Sequence, residues 1–82
     1  MQIYLSTKAD KQLGKLPKAM HQLLIERIEG LANDPFLRGA KKLAGRESWR
    51  LRVGDYRILY ILEKKSRTVV VLSVAHRKEA YK

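Results

Sequence analysis

The sequence contains no cysteine, only two prolines and only eight acidic residues among its 82. Without cysteine there is neither a disulfide framework nor a thiolate metal site. Two histidines, His21 and His76, are too few for a histidine-based one. No metal and no other cofactor is expected, and the fold must stand on packing alone. A bilayer span needs an apolar run of roughly 18 residues, and the sequence has none. The opening MQIYLSTKAD lacks the basic start and apolar core of a secretory signal. The expected compartment is therefore the cytoplasm, with no membrane partner. There is also no glycine-rich phosphate loop and no Ser-His-Asp arrangement. Glu47 and Asp55 are poor candidates for carboxylate chemistry, because Asp55 in the pair Gly54-Asp55 reads as a turn residue.

What the chain has is positive charge. Eighteen Lys and Arg against eight Asp and Glu leave a net charge of +10. A field of that strength draws polyanions, with nucleic acid in the lead, because each neutralised phosphate releases a counterion. An acidic protein partner would exploit the same field. A chain this short buries only about 60–65% of its unfolded surface, which leaves room for one core. Residues 1–82 are therefore expected to form a single domain.

Hydrophobic periodicity gives the elements. QIYLS alternates Ile3 and Leu5 against Gln2 and Tyr4, the period of a half-buried strand. A helix follows, with Thr7 as its expected cap, Asp10 near its N-terminus, and Ala9, Leu13 and Leu16 on one side. Gly14 and Pro17 bracket its end. Pro17 suits the first turn of a second helix, in which Met20, Leu23, Leu24, Ile28 and Leu31 recur at spacings of three and four. This helix should run to about Ala32, because Asp34 before Pro35 is pushed out of helical conformation. From Phe36 to Glu47 the chain reads as a long basic loop. Trp49, Leu51 and Val53 then alternate with Arg50 and Arg52, Gly54-Asp55 supplies a turn, and YRILYILE and TVVVLSVAH read as two more strands. The fold class is α+β, with the order strand, helix, helix, and then a three-stranded antiparallel meander, both helices covering one face of the sheet.

The other face is where the arginines belong. Outward polar residues on a solvated sheet face are ordinary, and solubility alone would account for them. Adjacent guanidiniums, however, repel one another unless an anion sits between them, whereas mixed Lys, Glu and Thr would solubilise equally well. Arg57 adds a third charge across the turn. Arg77 shares the parity of Ser73 and Ala75, while Val70, Leu72 and Val74 take the other. Arg50, Arg52, Arg57 and Arg77 can therefore converge on one concave patch suited to a phosphoryl group with growing negative charge. His76 and Tyr81 are the nearby candidates for proton transfer, and the Tyr81 ring can also stack on a base. Lys41, Lys42, Arg46 and Lys78 are the expected further contacts to an RNA backbone.

The string WRLRVGDYRILY, the later VVVLSVAHRKEAY and the order of elements together resemble the RelE toxins of toxin-antitoxin modules, within the wider RelE/ParE superfamily. The likeness spans the whole chain. It implies the RelE-like microbial RNase fold and a ribosome-dependent endoribonuclease that cuts mRNA in the A site. In that reaction a 2′-hydroxyl attacks the adjacent phosphate and leaves a 2′,3′-cyclic phosphate. By position, Arg50 and Arg52 match the family's basic pair, Arg57 and Arg77 its phosphate-gripping arginines, and Tyr81 its terminal tyrosine. Family members with lysine in place of Arg50 or Arg52 have a tunable amine there, which arginine does not supply. Electrostatic stabilisation is then left to carry most of the rate, with His76 as the candidate base. The resemblance also implies a cognate antitoxin, ribosome and mRNA as partners, and operator DNA bound through the toxin-antitoxin complex. The alternatives are a ParE-like gyrase inhibitor and a non-catalytic nucleic-acid-binding module of the same fold.

Overall fold

The alternation at the N-terminus produces β1 (Gln2–Leu5), and the following chain winds into α1 (Thr7–Gly14). These elements belong to a computed structural model that describes residues 1–35, 40–42 and 48–76. Ser6, not Thr7, caps α1: its Oγ accepts from the Ala9 N–H at 3.1 Å and donates to the Leu72 carbonyl at 2.8 Å. A residue that satisfies a helix end and also ties it to a distant strand outcompetes its neighbour for the cap. The chain leaves the helix after Gly14, so Leu16 joins the core margin from the connector rather than from the helix. Pro17 is itself the N-cap of α2 (Lys18–Asn33), one position earlier than expected. Asp34 is extended, as its place before Pro35 requires.

The sheet has five strands in the order β1-β5-β4-β3-β2, adding β2 (Ala40–Lys42), β3 (Ser48–Val53), β4 (Tyr56–Glu63) and β5 (Thr68–His76). β1 runs parallel to β5, and the remaining neighbours are antiparallel. The α+β class and the antiparallel meander are as the sequence predicts. The short β2 lies inside the stretch expected to be wholly loop, where three residues carry too little alternation to announce a strand.

One face of the sheet carries the core. Leu51, Val53, Ile58, Tyr60, Val69, Val71 and Val74 pack against Ala9 and Leu13 of α1 and Leu24, Ile28 and Leu31 of α2. Each fully buried aliphatic side chain contributes about 1.5–3 kcal/mol, so this cluster outweighs any single cap or turn. Strand β5 departs from simple alternation. Leu59 pairs with Ser73 but Tyr60 pairs with Val71, so Leu72 is an extra residue with no partner on β4. The bulge places Val69 and Val71 on the core face together with Val74, whereas plain alternation puts Val70 and Leu72 there. Among the described residues no helix is long and apolar enough to cross a membrane.

Candidate nucleic-acid interface

Residues directly opposite each other across antiparallel strands point to the same face. Arg52 lies opposite Arg57, Arg50 opposite Leu59, and Lys41 opposite Arg50. On β5, Ala75 lies opposite Arg57 and Ser73 opposite Leu59. The face turned away from the helices therefore carries one row of Ala75, Arg57 and Arg52 beside a second of Ser73, Leu59, Arg50 and Lys41. Small residues at the β5 end of both rows keep the floor low. A third row, Tyr4, Val70, Ile61 and Ser48, is largely apolar.

Lys41, Arg50, Arg52 and Arg57, together with Gly54, line an open cavity of about 520 Å³. Gly54 opens the two-residue turn between β3 and β4 at a φ of 58°, a conformation glycine adopts without strain and hairpin turns favour. That tight turn sets the register that puts Arg52 against Arg57. Four cations around one opening create a strong local field. Guanidinium forks suit the two oxygens of a phosphate and keep their charge at any working pH. The arrangement can bind a phosphodiester, and it can stabilise added negative charge on one.

The structure brings together four of the predicted site residues, Lys41, Arg50, Arg52 and Arg57. Lys41 was expected among backbone contacts on a loop; instead it stands on an edge strand as part of the cavity wall. Lys42 pairs with Trp49, so it shares the helix side rather than the cavity face. His76 falls on the other face of the sheet. It has the parity of Val74 and pairs with Tyr56, whose ring it meets edge-on at 5.2 Å. It lines a separate cavity of about 350 Å³ on the helix side, with Gln12, Lys15, Leu16, Tyr56 and Val74. The sheet thus lies between the His76 imidazole and the described arginines. Arg46, Arg77, Lys78 and Tyr81 lie outside the described residues.

Tyr60 is the side chain whose acidity the fold changes most clearly. Burial, with a smaller contribution from the Asp34 carboxylate, pushes its phenol up to about 12 from an ordinary value of 10.0. Its hydroxyl donates to the Pro35 carbonyl at 2.6 Å, on the core side of the sheet. It acts as a structural pin and stands apart from the cations.

Residues 3–81 match the family described as ParE toxin of type II toxin-antitoxin system, parDE. Toxin RelG of Mycobacterium tuberculosis is 35% identical over an alignment covering 94% of this chain and 91% of that protein. The chain belongs to the RelE/ParE family of type II toxins. Two solved structures share the fold of this RelE/ParE toxin over nearly its full length. One is the RelBE2 toxin-antitoxin complex of M. tuberculosis, 33% identical with a TM-score of 0.81, covering 93% of this chain and 96% of that one. The other is the archaeal RelE-RelB complex of Pyrococcus horikoshii, 28% identical with a TM-score of 0.82, covering 93% of both chains. In both, the relative was crystallised with its antitoxin.

Proposed function

We propose that this RelE/ParE toxin is a metal-independent endoribonuclease that cuts mRNA codons in the ribosomal A site and so halts translation. The observation that carries the reading is the gathering of Lys41, Arg50, Arg52 and Arg57 around one open cavity. The 2′-oxygen attacks the adjacent phosphorus, and charge accumulates on the phosphoryl oxygens. Arg57 grips those oxygens, while Arg52, facing it, and Arg50 add to the field. Arg77 is the proposed second phosphate-gripping arginine and Tyr81 the proposed base-stacking residue, both by likeness to RelE toxins. The cavity wall holds no strong base among its described residues, so the substrate's reactive geometry is supplied by the ribosome that presents it. In the cytoplasm a cognate antitoxin neutralises the toxin, as the complexes of its relatives support. The pair binds its own operator DNA.

The test is primer extension on mRNA held in programmed ribosomes, with wild type and Arg57→Ala. Arg57→Ala should cut about 10²–10³-fold more slowly while still binding ribosomes. Free RNA should stay intact. Equal loss of binding and cleavage would favour a non-catalytic module. The match to the ParE description favours a second reading, inhibition of DNA gyrase. Blocked supercoiling with no cleavage on ribosomes would establish it in place of the first.

A further inference from the structure

In-line attack by a 2′-oxygen releases one proton from the hydroxyl and requires another at the departing 5′-oxygen. The wall of the cationic cavity is made of three guanidiniums, one glycine and one amine. A guanidinium keeps its protons at any working pH, so Arg50, Arg52 and Arg57 stabilise charge without exchanging it. A lysine ammonium carries a proton it can give up. Among the described residues lining the cavity, Lys41 alone has this property. The other described proton carriers of the hairpins stand outside that wall, and Glu63, which shares the face, lies at the far end of β4 from Arg57. Tyr56 and His76 line the helix-side cavity, the Tyr60 hydroxyl is committed to the Pro35 carbonyl, and Asp55 in the turn is not part of the wall.

The position of Lys41 fits the task. It stands on the edge strand β2 opposite Arg50, in the row next to the Arg52–Arg57 pair. Rows on one face of a sheet are about 7 Å apart along the strands, a gap that a four-carbon side chain spans. Lys41 is exposed, so its ammonium reaches both solvent and a phosphodiester held by the arginine forks.

Resting on the ribonuclease reading, we infer that Lys41 is the general acid of the cut. The 2′-hydroxyl gives its proton to solvent and its oxygen forms the new bond to phosphorus. The bond from phosphorus to the 5′-oxygen breaks, and its electron pair stays on that oxygen. The Lys41 ammonium protonates this oxygen to give the free 5′-hydroxyl, and water reprotonates the amine. The groups facing Lys41 are the guanidiniums of Arg50 and Arg52 on β3 and of Arg57 on β4.

Lys41→Arg keeps the charge while withdrawing the transferable proton, and Lys41→Ala removes both. On ribosome-bound mRNA with an ordinary linkage, both variants should cut about 10²-fold or more slowly, as loss of a general acid does. On the same mRNA with sulfur replacing the scissile 5′-oxygen, both should recover to within several-fold of wild type, because a thiolate leaves without protonation. Wild-type rates from Lys41→Arg on the ordinary linkage would reduce Lys41 to a fixed charge and overturn the inference. A deficit that persists with the sulfur linkage would overturn it too. A wild-type protein that cleaves neither substrate would defeat the ribonuclease reading itself, and the role of Lys41 with it.

Discussion

Arg52 and Arg57 face each other directly across the β3–β4 hairpin, two guanidiniums paired on one side of a sheet. Like charges at directly opposed positions destabilise a strand pair by a few tenths to about 1 kcal/mol. An anion held between the two forks offsets that repulsion. Arg52→Gln should raise the urea midpoint of the isolated toxin. It should also reduce the gain in melting temperature that wild type shows on adding phosphate. A variant that is less stable than wild type in the absence of anions would contradict this account.

The bulge in β5 leaves the Val74 N–H to be satisfied from outside the sheet, and Gln12 of α1 accepts it through Oε1 at 2.6 Å. Gln12→Leu keeps the bulk but removes the acceptor. It should cost about 1–3 kcal/mol in denaturant unfolding, the penalty of an unpaired amide. Gln12→Glu retains an acceptor and should lose much less.

Ser6 joins the start of α1 to β5 through both its hydrogen bonds. Ser6→Ala should destabilise by about 1–2 kcal/mol, whereas Thr7→Ala should change stability little. Chemical denaturation of the two variants side by side decides between Ser6 and Thr7 as the cap.

Because the Tyr60 phenol titrates near 10.0 in the unfolded chain and at about 12 in the fold, the unfolded state sheds this proton first as pH rises. Below pH 10 both states hold the proton and the residue adds no slope. Between pH 10 and 12 the unfolded state binds fewer protons, so stability falls with pH. Tyr60→Phe should remove that part of the decline. At neutral pH it should cost about 1 kcal/mol for the lost bond to the Pro35 carbonyl. Unfolding curves of both proteins at pH 8 and pH 11.5 measure each effect.

The hairpin carrying Arg50, Arg52 and Arg57 was legible because its period, its Gly54-Asp55 turn and its β-branched flanks all specify one register. The side on which His76 falls was equally legible, since it shares parity with Val74. The bulge was not. In the run VVVLSV, nearly uniform apolar residues give no sign of which one is extra, and only packing against Tyr60 and Ile58 selects Leu72. Lys41 as part of the wall was hidden for a different reason: β2 exists because the exposed edge of β3 accepts three more residues, whatever their own preference. Ser6 and Thr7 are both good caps, and what favours Ser6 is a carbonyl on Leu72, 66 residues away.

The last strand of the sheet to be synthesised, β5, lies between β1 and β4, so the first strand of the chain has no neighbour until the final one is complete. A nascent chain still lacking Thr68–His76 cannot close its core or fix the hairpin against α1 and α2. Closure of the core behind the cationic face therefore waits for β5 to emerge, and a chain stopped before Thr68 lacks the central strand that joins β1 to the hairpin.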